Sequence, residues 1–464
     1  MKIDISQKTI SGKVILHDIS LEIGEGITLI VGDSGSGKST LLREMVPGIS
    51  AIGECVGSVQ FMGQDIKKVK PGKIGFVSQQ PDNQIVCDKV WHELAFGLES
   101  LGVSRDVIRN RVAEISTYLG IENWFMRKVT DLSEGEKQKL VLASILCMAP
   151  QFVVMDEPTS MLDPIAARSF WELVIRLREE QGIRFIVAVH DTEYIYDHAD
   201  TKVTLAQGTL VSEEHYNSLP EREKIKRYGK GYTEAAVREY AVVPDARDTQ
   251  VVRRLRDIRG SYEGQAVLAV RELEIHQGIN AWIGPNGAGK STLGKVLAGY
   301  FGKKQLPRCV MMPQDVLTIF TKETVRQELD VEADIPQEIE TLCGKLMECH
   351  PLDLSGGEQH LVAICKFLLK KAEYLILDEP TKGMDYRLKK SVEALLQRYS
   401  KQQNIIVITH DLELVGDIAT YAALLFYGDI ASMGEPHQVF RENVFYKPFI
   451  SRWNPALISK EELE

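Results

Sequence analysis

The chain has 464 residues, 44% hydrophobic and 26% charged, with a formal net charge of −10. That length suits two or three domains with separate cores, and the acidic balance gives no general electrostatic reason to seek nucleic acid. The opening MKIDISQKTISGKVIL lacks a basic stretch followed by an apolar one, so no signal peptide is expected, and no run of about 18 apolar residues is available to span a membrane.

KVILHDISLEI alternates apolar and polar residues, as a strand exposed on one face does. The apolar run Ile27–Val31 follows and suits a sheet covered on both faces. It leads into GDSGSGKST, Gly32–Thr40, and then a helix. In that setting Gly32, Ser34, Gly35 and Gly37 let backbone N–H groups turn toward a phosphate chain at the positive end of the helix. Lys38 is expected to neutralise phosphate charge, Ser39 to hold Mg²⁺ and Thr40 to complete the motif. Gln79 comes next, then LSEGE at Leu132–Glu136, where Ser133 and Gly135 open a helix and form a second anion site. Phe152–Ser160 is an apolar strand ending in two acids. Asp156 is placed to hold Mg²⁺ through water, and Glu157 to orient or deprotonate the attacking water. A further strand, FIVAVH, ends in His190, a candidate contact for charge developing on a γ-phosphate.

Between about 212 and 249 the sequence turns polar and charged without apolar periodicity, which marks a linker. The expected organisation is a first domain 1–220, a linker 221–248, a second domain 249–440 and a tail 441–464. Beyond the linker the same motifs recur in the same order. AVLAVRELEI and Ile279–Ile283 precede GPNGAGKST, in which Gly284, Asn286, Gly287, Gly289, Lys290, Ser291 and Thr292 take the phosphate and Mg²⁺ roles. Gln314, LSGGE with Ser355 and Gly357, the acids Asp378 and Glu379, and His410 after IIVITH complete the copy. Two anion sites per copy make sense if each LS-segment reaches the ATP held by the other copy, closing the chain on itself around two ATPs. The second copy is shorter between its lysine and Gln314, as if part of a peripheral β region were missing. Seven cysteines are scattered without CxxC spacing and read as reduced thiols.

These motifs resemble those of the ATP-binding cassette (ABC) ATPases over nearly the whole chain. The resemblance implies an α/β fold of two tandem P-loop NTPase domains, each with a mixed-sheet RecA-like core and a helical subdomain, binding ATP with Mg²⁺. It makes LSEGE and LSGGE signature motifs, with Ser133, Gly135, Glu136, Ser355, Gly357 and Glu358 contacting the ATP of the other half. Gln79 and Gln314 become Q-loop residues that sense Mg²⁺ and the attacking water. The two Mg²⁺ sets are then Ser39, Gln79 and Asp156, and Ser291, Gln314 and Asp378. Asp163 and Asp385 fall in D-loops. Tyr262 stands where an aromatic stacks on adenine, whereas the first half has no aromatic before Asp18. Glu134 departs from the family by standing where glycine is usual, so the ATP held by Lys290 faces an altered signature. Glu136 and Glu358 stand where glutamine is commonest.

QQPDNQIVCDKVWHELAFGLESLG, beginning at Gln79, looks like the Q-loop segment of energy-coupling factor (ECF) importer ATPases, and MMPQDVLTIFTKETVRQEL is a looser version. That similarity implies ATP-driven uptake of a vitamin, vitamin precursor or transition-metal ion. The implied partners are a membrane coupling subunit and a substrate-binding membrane subunit, met on the cytoplasmic face of the membrane, with no nucleic acid. Two rival readings are a ribosome-associated tandem ABC ATPase and a fused sugar-importer ATPase. The first usually carries a long charged helical linker, and the second a degraded second phosphate loop, whereas GPNGAGKST is intact. Neither half has room between phosphate loop and signature for the long insertions of DNA-repair ABC ATPases.

Overall fold

The computed structural model describes residues 1–32, 35–189, 194–211, 250–262, 265–302, 305–329, 335–384, 386–443, 446–448, 450–454, 456–459 and 462. The chain forms two compact units, Met1–Gly231 and Tyr232–Glu464. The expected linker 221–248 lies outside the described residues.

In the first unit the apolar run Ile27–Val31 is buried at every position and lies between Arg184–Ala188 and Thr201–Ala206, parallel to both. Phe152–Asp156 and Ile74–Val77 extend the sheet in parallel, and Thr209–Leu210 closes the other edge antiparallel. Parallel strands bury both faces, and alternate residues here divide between two cores. Leu29, Val153 and Val187 pack with residues of helices Val90–Ser100, Glu134–Cys147 and Pro164–Gln181. Ile30, Val154 and Ile186 pack with Leu41 and Leu42 of helix Lys38–Glu44 and with Ile3, Ile5 and Val59 of an antiparallel sheet. That sheet orders its strands Lys13–Glu22, Lys2–Ile10, Glu54–Phe61 and Gln64–Asp65. The mixed central sheet with helices on it is the α/β arrangement expected.

The second unit repeats the plan. Its sheet runs Cys309–Met312, Tyr374–Asp378, Asn404–Ile408, Ile279–Ile283 and Tyr421–Phe426 in parallel, with Asp429–Gly434 antiparallel at the edge. The peripheral sheet differs: it is the single hairpin of Val251–Tyr262 and Gln265–His276. Among the described residues no strand matches Glu54–Phe61, which accounts for the shorter spacing in the sequence. The outer edge of Val251–Tyr262 is therefore unpaired among the described residues. Asp257 in this strand has a left-handed backbone, φ 52, and Arg253, Arg254, Arg256 and Arg259 are exposed along it.

Described residues after Glu435 pack within the second unit. Val439, Phe440, Tyr446 and Ile458 are buried with Leu412, Val415 and Ala419. A Cβ on Gly416 would lie 2.2 Å from the Ile458 carbonyl oxygen, so this close approach requires glycine. Among the described residues no helix is long and apolar enough to cross a membrane.

Candidate functional site

In each unit the central apolar strand ends in the glycine-rich loop. A Cβ at Gly32 would lie 2.1 Å from the Leu205 carbonyl oxygen, and one at Gly284, whose φ is 140, 2.2 Å from that of Leu425. Gly37 and Gly289 cap the following helices, so the free N–H groups of a helix start open toward the loop. Lys38 is buried with Nζ 2.6 Å from Gly32 O, and Lys290 is buried with Nζ 2.7 Å from Gly284 O and 3.0 Å from Pro285 O. Both ammonium groups are thus held against loop carbonyls. Thr40 and Thr292 lie in the first helical turns, and Asn286 and Gly287 are exposed on the second loop. Ser34 lies outside the described residues.

The Ser39 hydroxyl donates to Asp156 Oδ1 at 3.0 Å, and Ser291 makes the corresponding bond to Asp378. Burial raises the pKa of both aspartates against these serine bonds, and the adjacent glutamate adds to the rise. Asp378 is pushed up to about 6. Its Oδ1 is buried without a hydrogen-bond partner among the described residues. A hydroxyl beside an unsatisfied carboxylate oxygen is a hard-oxygen donor set that fits Mg²⁺.

Glu157 and Glu379 follow these aspartates with left-handed backbones, φ 47 and 51. Each N–H is caught by the adjoining strand end, Ala188 O and Ile408 O respectively, both at 2.8 Å. The same strained turn therefore recurs in both units. Gln79 Nε2 donates to Glu157 Oε2 at 3.4 Å, bringing the two predicted residues together. In the second unit His410 Nδ1 lies 2.9 Å from Glu379 Oε2, and the Thr409 hydroxyl donates to the same oxygen at 3.2 Å. Burial works to raise the Glu379 pKa, yet His410, Lys290 and Thr409 outweigh it and the net shift is downward. Burial likewise opposes the His410 charge, but Glu379 and Asp411 carry its pKa upward. His190 and Asp385 lie outside the described residues, as does the Tyr262 side chain.

Ser133 and Ser355 cap the helices Glu134–Cys147 and Gly356–Leu368 in capping boxes. Glu136 Oε2 accepts from Ser133 N at 2.8 Å, and Arg127 holds the other carboxylate oxygen at 2.8 Å. Glu358 Oε2 accepts from Ser355 N at 2.9 Å and from its hydroxyl at 2.6 Å. The two glutamates read as nucleotide contacts thus have their carboxylates engaged in the caps. Gly357 abuts its own unit's D-loop, where a Cβ would meet Gly383 O at 2.7 Å, and Gly135 lies against Ala166. Asp163 caps helix Pro164–Gln181, accepting from Ile165 N at 3.0 Å and Ala166 N at 2.9 Å.

Some residues of these sites went unread in the sequence. Gln138 Nε2 donates to Ser78 O at 3.3 Å, joining the first signature helix to the residue before Gln79. His360, at the matching position, meets Gly356 O at 2.9 Å and the Gln314 backbone. Lys389 pairs with Asp411 at 2.6 Å. The signal for Thr409 was available in the motif itself, since IIVITH sets a threonine where FIVAVH sets Val189.

The ABC transporter family matches residues 16–160 and 271–382. A protein of Bacillus thuringiensis subsp. konkukian, named as an ABC transporter ATP-binding protein, is 31% identical over 94% of this chain and 92% of its own length. One from Saccharolobus solfataricus with the same kind of name is 28% identical over 94% of each chain. Among solved structures, ribosome-bound archaeal Pelota and ABCE1 gives a TM-score of 0.69 over 95% of this chain at 22% identity. That likeness shows the fold alone.

Proposed function

This chain belongs to the ABC transporter family, whose ATP-hydrolysing domain it carries twice, and from that premise we propose that it is the fused motor subunit of an ECF-type importer for a micronutrient. The observation that carries the importer reading is the segment following Gln79. There Val86, Trp91 and Phe96 stay exposed beside helix positions Val90, Leu94 and Leu98, which are buried. Apolar surface next to a nucleotide-sensing glutamine suits a membrane coupling subunit.

The N–H groups of the two glycine-rich loops, with Lys38 and Lys290, hold the ATP phosphates. Ser39, Gln79 and Asp156, and Ser291, Gln314 and Asp378, hold Mg²⁺, which when bound offsets phosphate charge. Glu157 and Glu379 orient the attacking water and accept its proton. His190 and His410 face the charge that develops on the γ-phosphate, and Tyr262 stacks on the adenine of the second site. Ser133, Gly135, Ser355 and Gly357 complete the ATP site of the opposite half, so two ATPs draw the halves together. Closure moves the coupling subunit at the inner face of the membrane, and hydrolysis allows reopening.

Purification of the chain from its native cells in mild detergent tests this. The expected companions are a small polytopic membrane protein and one or more hydrophobic binding subunits, which would name the cargo. Recovery of ribosomal subunits without a membrane protein would overturn the importer reading.

A further inference from the structure

Asp411 N donates to the Thr409 hydroxyl oxygen at 3.0 Å, so the hydroxyl proton is directed away from that bond and onto Glu379 Oε2, 3.2 Å away. Thr409 is fully buried, and its own N–H is fixed by Trp282 O at 3.1 Å. The Glu379 oxygen that receives this proton is also the one held by His410. Oε1 takes no part in either bond. Asp411 is anchored in turn by Lys389 at 2.6 Å and accepts from Leu414 N at 3.1 Å. A line of polar contacts thus runs from Lys389 through Asp411 and Thr409 to the carboxylate.

Val189 occupies the same place in the first unit. It is buried, and its N–H donates to Ile30 O at 3.3 Å as that of Thr409 does to Trp282 O. Valine has nearly the shape of threonine but no proton to donate. The residue matching Lys389 is Ala167, so the first unit also lacks the lysine at the far end of the line.

We infer that Thr409 is a positioning residue: its hydroxyl fixes one oxygen of Glu379 so that the other faces the attacking water, and the two hydrolytic sites are unequal because Val189 cannot do the same. This rests on the reading of Glu379 as the base. An ordered base contributes to the chemical step rather than to nucleotide binding, because orientation acts on the transition state.

Steady-state ATP hydrolysis by the full chain tests the inference. Thr409→Val is expected to lower kcat about tenfold, the scale of one hydrogen bond to a charged group, with KM within about twofold of the parent. Thr409→Ser restores the hydroxyl and is expected to keep kcat within about twofold. Glu379→Gln is expected to cost more turnover than Glu157→Gln. Parental kcat in Thr409→Val beside an impaired Glu379→Gln would remove the role of Thr409 and leave the base in place. Equal losses in Thr409→Val and Thr409→Ser would reduce the residue to packing. Full turnover in Glu379→Gln would overturn the base assignment and the inference together, and a larger loss in Glu157→Gln would overturn the inequality.

Discussion

The strained backbone at Glu157 and Glu379 is the most informative feature at the scale of single residues. A left-handed conformation costs a residue with a Cβ about 1–2 kcal/mol, and it persists here because each N–H is caught by the neighbouring strand end. Glu157→Gln preserves that turn and the side-chain volume but removes the base. Phosphate-release assays are expected to show turnover falling to the other site's share if the sites fire independently, or by roughly 10²-fold if they fire together. Residues of this kind were legible because the chemistry sits in one short run: four apolar residues, two acids, a proline. Thr409 and Lys389 were not, since each acquires meaning only when a strand or helix 22 to 30 residues distant is brought beside it. The glutamates of the signature show the converse. Their sequence position resembles a nucleotide contact, while the capping geometry that engages them is fixed by the serine three residues before.

At the scale of elements, helix Tyr386–Tyr399 meets helix Leu412–Ile418 through a crowded set of charges. Lys390 bridges Asp417 at 2.7 Å and Glu393 at 2.8 Å, while Lys389 is committed to Asp411. Glu393 and Asp417 thus compete for the charge of Lys390. Burial pushes the Glu393 pKa up to about 7, with Lys390 opposing and Asp417 adding to the rise. Lys390 is itself shifted upward, against burial, by its two acids. The folded chain therefore keeps a proton that the unfolded chain releases above about 4.5. Stability drawn from this group must then fall as pH rises from about 4.5 through about 7. Glu393→Gln is expected to raise the melting temperature of the second unit at pH 8, by a free energy on the order of 1–3 kcal/mol. The difference should close by pH 5, and thermal denaturation across that range checks it. None of this is visible in the sequence, because the pairing of Lys390 with Asp417 joins residues on two separate helices.

For the whole molecule, the repetition of motifs told of two similar units, and each unit does build its own cores on its own central sheet. What the repetition hid was how unlike the peripheral sheets are. A stretch that is four strands wide in the first unit is, among the described residues, one hairpin in the second. A deletion can be counted from spacing, but which strand has gone depends on pairing between distant residues.

Among the described residues Val251–Tyr262 is a long strand with hydrogen-bonding groups turned outward, the kind of rim on which a second molecule could begin to stack. The strand meets this hazard in two ways already present. The left-handed backbone at Asp257 departs from regular strand geometry, and exposed arginines repel an identical strand laid alongside; Arg254 and Arg256 are offset by Glu274 and Glu272, while Arg253 and Arg259 have no such cross-strand acid among the described residues. Replacing Arg253 and Arg259 with valine should leave the fold intact yet make light scattering rise with protein concentration. The arginines would then be guardians of solubility, compensation for an edge that no further strand covers among the described residues.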